Sequence, residues 1–374
     1  DLGWSDVYEG VRQGDCRFGA NVYGLPLGVQ TLVVYARQDW LDELKLAPPK
    51  TWAEYQQVAE AFAKRPASEN QPPMAATLEP LGQGWAGLTL LTRAAAYAKD
   101  RGHYSTLFDV EDMHAEIASP PFVRALDELK AAAPRPETFD VLNASPDDVR
   151  RAFLDGRCGL ALCRPNLREK PSGEAPQGEA GSAPAEAPLV APDALSIHPV
   201  PGAADVYNRS RKAWQPRKAD DGARVPLSGV AGRLAAVSAG SKHPEAAFEL
   251  AAALIGGRWG GAIRRSSDAA GPCRKSDQAD AQTWVADPAE RRAATQYVDA
   301  VGATLTSVDH LDALRIPGRE RYLAALDAAV QKAVRGELDS AAALAEAAQE
   351  WERITYELGR DKQGAAYRKS VGYE

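Results

Sequence analysis

Between Val22 and Ala36 the chain reads VYGLPLGVQTLVVYA. From Thr31 to Ala36 it is an unbroken apolar run, which predicts a strand buried on both faces. Gly24, Pro26 and Gly28 interrupt the first half, and all three are poor strand formers, so regular pairing is expected to break there. The period then changes. Thr51 and Glu54 form a T-x-x-E capping box, and Trp52, Tyr55, Val58 and Phe62 follow at helical spacing. Pro48 and Pro49 forbid helix before the cap. A short strand is expected at Met74–Thr77, then a Gly-rich turn carrying Trp85, then a helix through Leu88, Leu91 and Ala95. Further helices are expected over Pro120–Ala132, with Phe122, Leu126 and Leu129 apolar, and over Ser145–Phe153, whose first turn is acidic as the helix dipole favours. The second leads through DGR into the strand CGLALC.

Residues 168–192 are rich in Pro, Gly, Ala and Glu and hold almost no apolar bulk, so they read as a mobile surface loop inserted in one interrupted sheet. A second irregular stretch, Ala203–Arg224, is basic and holds Trp214. A turn, a strand (Leu234–Val237) and a helix follow, with Pro244 in the helix's first turn and Gly256 as its stop. The last hundred residues are mostly helical. Tyr322, Leu326, Val330 and Val334 share a face up to Gly336. Ser340 then caps a helix with Leu344, Ala348, Trp351, Ile354 and Leu358 inside. Strands alternating with helices indicate an α/β fold.

Composition narrows the function. A length of 374 residues suggests two to three domains, and 45% hydrophobic with 25% charged residues suits a folded chain with a sizeable core. A net charge of −7 disfavours nucleic acid and anionic membrane surfaces as partners. No apolar run approaches the roughly 18–20 residues of a membrane-spanning helix. Asp1 is not an initiator Met and no leader follows, so the N-terminus reads as processed or truncated. Cys158 and Cys163 lie on one strand about 16 Å apart and cannot bridge each other. The five histidines are scattered and no zinc-ligand spacing occurs, so no metal or other cofactor is expected.

Catalytic motifs are missing too. There is no phosphate loop, no dinucleotide fingerprint and no nucleophile elbow. Acidic runs such as DDVRR and EAAQEWER read as solvated helix faces, although a hidden pair of catalytic carboxylates stays open. Trp85 in GQGWAG, Trp259 in GGRWGG and Trp214 are placed to stack on an apolar sugar face, or simply to cap the core. Trp52 and Trp351 read as core.

Several segments together resemble one family. VYGLPLGVQTLVVYARQDWLDELKLAPPKTWAEYQQVAEAF is similar to the stretch of family 1 extracellular solute-binding proteins that reads, loosely, yGlP…lyYNkdlf…GL…PPkTWdEf. RRAFLDGRCGLAL resembles that family's F..GkaAM helix–strand. VPLSGVAGRLAAVSAGSKHPEAAFELAAALI resembles its gGwglaIsa.SkhpEaAweFl, and GPCRKSD its g..PsR.s element. PGRERYLAALDAAVQKAVRGELDSAAALAEAAQEWERI resembles its closing helices. These are the maltose-binding-protein-like receptors of ABC importers.

The resemblance implies a two-lobed, type II periplasmic-binding-protein-like α/β fold that closes around its ligand. Residues 1–29 and 200–295 would form the first lobe, and 30–199 and 296–374 the second. The family carries about a hundred residues before the yGlP strand, so the first lobe is expected to lack its N-terminal strands. Carried over, the ligand contacts fall on Gln30 at the crossing, Trp85 as the aromatic platform, and Arg164 and Asn166 after the CGLAL strand. They also fall on Ser228 and Gly229 in the gG turn, Arg274 in the PsR element, and Arg319 and Tyr322 before the late helix. Cys16 and Cys273 map to one lobe and are expected to pair if the protein is exported. The implied function is a non-enzymatic, monomeric receptor, periplasmic or extracellular and either free or membrane-anchored through a missing N-terminal signal, that captures a small polar solute, first of all a carbohydrate, for an ABC permease. The alternatives are a sensor or regulatory domain that kept the binding fold without transport, and a carboxylate-based hydrolase.

Overall fold

A computed structural model describes residues 2–65, 74–101, 105–168, 190–218, 224–267, 270–285 and 287–373. Most of the 168–192 stretch read as a loop lies outside the described residues.

Val33–Arg37 is buried along its whole length and is one of the two inner strands of a four-stranded sheet ordered Ala75–Leu78, Cys158–Cys163, Val33–Arg37, Leu195–Pro199. It is antiparallel to both neighbours, while Ala75–Leu78 runs parallel to Cys158–Cys163. The apolar run of the sequence is thus explained by burial on both faces. Tyr35 meets Phe153 edge-on at 5.6 Å from the helix Pro146–Leu154.

The Gly- and Pro-rich half breaks the regular pairing, as expected, but does not end the strand. Leu25–Gln30 is a strand, antiparallel to Ala231–Ala235 in a separate two-stranded sheet, with a register shift between Arg233 and Leu234. The shift absorbs Pro26, which lies opposite Leu234 and has no N–H to donate. Gly28 answers a different need. Its φ is +155°, and a Cβ there would stand 2.7 Å from the Ala270 Cβ and 2.9 Å from the backbone of Gly271. Only two buried residues, Thr31 and Leu32, separate this sheet from the four-stranded one. The chain therefore changes sheets within a single step.

Helix positions follow the local signals. Thr51 caps Trp52–Ala63 with the full reciprocal box, the Glu54 N–H donating to Thr51 Oγ1 at 3.2 Å and Glu54 accepting from the Thr51 N–H at 3.2 Å. Thr51→Ala should lower stability by about 1 kcal/mol, read from the urea midpoint at unchanged slope. Pro120–Ala132 stands as expected, Ser145 caps Pro146–Leu154, and Gly256 ends Pro244–Ile255. The late cap is Asp339 rather than Ser340, because the carboxylate reaches the Ala342 N–H at 2.7 Å. Helices Ala86–Ala98, Pro120–Ala132, Arg319–Val334 and Ser340–Leu358 pack on one another. Trp351 lies at their centre, stacked on Phe108 at 4.9 Å and donating its indole N–H to Tyr322 O at 2.8 Å.

The hairpin Asp205–Asn208 and Ala213–Pro216 rests on the Ala86–Ala98 and Pro120–Ala132 helices. Arg124 donates to Asp205 at 2.8 Å, and Trp214 meets Tyr97 edge-on at 6.0 Å. Against the two-stranded sheet, a small cluster of Leu25, Ala251 and Ile255 forms a second core. The helix Pro244–Ile255 buries only Ala251 and Ile255 and leaves Phe248 and Leu250 exposed. Cys16 and Cys273 do not form the expected disulfide. Both are free, buried thiols, and burial pushes each up to about 12.

Candidate functional site

Strand register brings the candidate residues to one edge. Gln30 ends its strand and pairs with Ala231, two residues beyond Gly229. Val33, three residues after Gln30, pairs with Cys163, and Arg164 follows directly. The exits of two strands from two sheets therefore meet where the chain crosses between them.

Arg164 is the centre of this junction. Its Nη1 donates to Gln30 Oε1 at 3.2 Å, its Nη2 pairs with Asp147, and its guanidinium lies 5.3 Å from the centre of the Trp85 ring. Arg150 donates to Asp147 Oδ1 at 2.5 Å and to the Arg164 carbonyl at 2.7 Å. Burial alone would raise the Asp147 carboxyl. Arg150 and Arg164 outweigh that and hold it below the usual carboxylate range. The Asn166 N–H donates to the Tyr35 hydroxyl at 3.1 Å, which fixes the segment after the strand.

Trp85 is half-buried and starts the helix Ala86–Ala98. Its turn is braced from a distant helix. Asp327 accepts from the N–H groups of Gly84 at 2.5 Å and Gly87 at 2.7 Å, and Gln331 donates to the Leu81 carbonyl at 2.8 Å. Gly84, at φ +82°, supplies the left-handed residue the turn requires.

Ser228 and Gly229 lie at the same end of the ladder but face a different set of groups. Ser228 donates to Asp312 Oδ1 at 2.6 Å, and Gly229, at φ +69°, lies beside Asp15 and Ala313. A cavity of about 260 Å³ opens nearby, lined by Lys99, His310, Asp312, Arg315 and Tyr367 among others.

Two further candidates are turned away from the junction. Arg274 is buried and donates to the carbonyls of Gly3 at 3.0 Å, Leu2 at 2.9 Å and Ile255 at 3.2 Å, tying the start of the chain to the helix Pro244–Ile255. Tyr322 is fully buried and hydrogen-bonded to Thr355 at 2.9 Å inside the helical core. Arg319 is half-exposed in the first turn of Arg319–Val334. That helix reaches the junction through Asp327 and Gln331, beyond the positions expected from the sequence.

Asp147 and Arg150 went unrecognised because DDVRR reads as a solvated face. Arg150 is in fact buried, and Asp147 is only half-exposed. The signal available was a cation three residues after an acidic one in the first turn, which is common on surfaces. Among the described residues no group of three metal-binding side chains occurs. The junction offers a flat indole, a guanidinium, an amide and a carboxylate in one half-open place. The chemistry of that set suits a polar molecule with an apolar face.

A model of the family described as bacterial extracellular solute-binding protein matches residues 1–256. The chain belongs to that family. The fold of this solute-binding protein is shared by solved structures at low identity. The sugar-binding protein MalE from the phytopathogen Xanthomonas citri is 21% identical, with 95% of this chain and 75% of that one covered and a TM-score of 0.64. A solute-binding protein of an ABC transporter from Agrobacterium radiobacter K84, in complex with ribitol, is 18% identical, covers 94% and 76%, and has a TM-score of 0.62. Maltose-bound MalE3 of T. maritima is 17% identical, covers 94% and 78%, and has a TM-score of 0.59. None of the curated proteins matches the chain. The two-lobed architecture expected from the resemblance is therefore the architecture of this solute-binding protein.

Proposed function

We propose that this protein is an extracytoplasmic receptor that captures a small carbohydrate or polyol between its lobes and delivers it to the permease of an ABC importer. The observation that carries this reading is the Trp85 indole, held half-buried on a braced turn beside Arg164 and Gln30. An indole face suits the apolar face of a sugar ring, while the guanidinium, the Gln30 amide and Asp147 suit its hydroxyls. Solved structures that share the fold carry ribitol, maltose, D-mannitol and α-D-tagatose, which are ligands of this kind.

In this reading residues 1–29 and the later part of 200–295 act as one lobe, and 30–199 and 296–374 as the other, with the hairpin Asp205–Asn208 and Ala213–Pro216 moving with the second because it rests on its helices. Thr31 and Leu32 lie at a crossing whose dihedrals change as the lobes close. Arg164 gives up part of its contact with Trp85 when the ligand enters. The protein works as a receptor without turnover and acts as a monomer.

Isothermal titration with maltose, D-mannitol, ribitol and α-D-tagatose tests the reading. At least one is expected to bind, and Trp85→Ala is expected to weaken that binding about tenfold or more at unchanged circular dichroism. Binding of none of these solutes, or full affinity in the Trp85→Ala variant, would overturn it.

A further inference from the structure

Trp85 stands where the helix Ala86–Ala98 needs a cap. It is the residue before the first helical turn, where Ser, Thr, Asp or Asn ordinarily accepts from a free N–H, and its side chain makes no cap hydrogen bond. An indole donates and cannot accept, so the acceptor has to come from elsewhere.

It comes from Asp327, in the helix Arg319–Val334. Asp327 Oδ1 accepts from the N–H of Gly87, the second helical residue, at 2.7 Å. Its Oδ2 accepts from the N–H of Gly84, just before Trp85, at 2.5 Å. The two bonds flank Trp85 and fix the backbone on both sides of it. Asp327 is 6% exposed, so water competes little for either oxygen.

Gln331, one turn further along the same face of that helix, holds the adjoining pieces. Arg335 donates to its Oε1 at 3.3 Å. Its amide nitrogen donates to the carbonyls of Leu81 at 2.8 Å and Leu142 at 3.1 Å. The two segments so held are also joined to each other: the Leu81 N–H donates to the Val141 carbonyl and the Gly82 N–H to the Ala144 carbonyl, both at 3.0 Å. A Cβ on Gly82 would stand 2.8 Å from the Ala144 oxygen, so their contact leaves no room for a side chain. Residues 141–145 lead directly into Pro146–Leu154, which carries Asp147 and Arg150. One helix face therefore pins both the turn that carries Trp85 and the segment that aims Asp147.

A helix that needed only a stable end would not need this arrangement. A short polar residue at position 85 would cap it locally. Here the cap position holds the ring that lies beside Arg164, and the cap is supplied by a distant carboxylate.

We propose that Asp327 and Gln331 are positioning residues of the solute site, which set the direction of the Trp85 indole and through it the affinity for the solute. The inference rests on the solute-binding reading and adds to it two residues that act through the Trp85 turn.

The test replaces tryptophan by 5-fluorotryptophan, so that the eight tryptophans report separately by fluorine NMR. The Trp85 signal is the one missing in Trp85→Phe. Asp327→Asn keeps the shape but turns an NH2 toward one of the two N–H groups, so one bond is lost. Without solute, its Trp85 signal is expected to shift or broaden while the other tryptophans keep theirs. Its affinity for whichever of maltose, D-mannitol, ribitol and α-D-tagatose the wild type binds should fall about tenfold, as loss of a hydrogen bond to a charged group predicts. Gln331→Met keeps the length and removes the donors. It should do the same to a smaller extent, and it decides the outcome where the Asn variant does not fold. An unmoved Trp85 signal, a shift of all the tryptophan signals together, or full affinity in the variant would refute the positioning role. If wild type binds none of the four solutes, the receptor reading fails, and the fluorine signals alone then decide whether Asp327 and Gln331 position the ring.

Discussion

Glu79→Ala is expected to destabilise the protein by about 3–5 kcal/mol, because it leaves the Arg93 charge buried without its partner. The two side chains are 4% and 2% exposed. Arg93 Nε donates to Glu79 Oε2 at 2.9 Å, and a second bond joins Nη2 to Oε1. The guanidinium also lies 4.2 Å from the centre of the Trp52 ring, which offers it no acceptor. Glu128, 3.8 Å from Nη1 and partly exposed, takes up some of the lost countercharge, so the cost should fall in the lower part of the range. Replacing both partners by apolar residues of similar volume, Glu79→Leu with Arg93→Met, should recover most of it, since the ion pair is itself expensive to bury. Urea unfolding of the single and double variants measures both effects, and a cost below about 1 kcal/mol for the single variant would refute the argument. The pair also brackets the Trp85 turn, with Glu79 just after the strand Ala75–Leu78 and Arg93 in the helix that follows. The same variant should therefore lose solute affinity wherever Trp85 is used.

Asp15→Asn is expected to stabilise the protein above pH 7 and to have little effect near pH 4. Burial pushes the Asp15 carboxyl up from the ordinary 3.8 to about 6; Arg315 opposes this and Asp312 adds to it. The folded protein thus holds this proton more tightly than the unfolded chain does. Between about pH 4 and pH 6 the native state binds more protons, so stability falls as pH rises through that window and stays low above it. The displacement corresponds to about 3 kcal/mol at most, and less in practice because Asp15 keeps part of its surface exposed. Asn keeps the shape and removes the charge. The difference in unfolding free energy between variant and wild type, followed from pH 4 to pH 8, should grow through pH 6 and then level. A difference independent of pH would show that Asp15 ionises freely in the folded protein. Groups with the opposite trend, such as Asp147, cancel in this comparison.

Most of the secondary structure was legible because its causes are local. The Thr51 box, the Ser145 cap, the apolar run through Val33 and the Gly256 stop each act within about four residues, so the chain displays them directly. The break in regular pairing along Leu25–Gln30 was legible, but the partner that keeps it a strand was not. A strand with Pro26 and Gly28 survives only because Ala231–Ala235 supplies a shifted partner and the Ala270–Gly271 segment needs the space. The helix Pro244–Ile255 shows the reverse case. Its apolar sequence suggests burial, yet Phe248 and Leu250 are exposed, because only one side of it has a neighbour among the described residues.

The sequence by itself determined most strands and helices, the crossing after Gln30 and the family, since these rest on period, capping and an ordered set of local motifs; it missed the hairpin Asp205–Asn208 and Ala213–Pro216 in the stretch Ala203–Arg224 expected to be irregular, because its strands are held by packing on distant helices. It also placed Gln30, Trp85 and Arg164 as candidates, and these three lie together. Only the tertiary structure decided which polar groups join them. Asp147 and Arg150 come from a helix face that looked solvated, while Arg274 and Tyr322 turned inward to backbone carbonyls and to the aromatic core. Asp327, more than two hundred residues away in sequence, fixes the turn of Trp85. The physical reason is the same in each case: whether a charged side chain is solvated, paired or buried depends on what distant elements pack against it, and spacing along the chain carries no record of those neighbours.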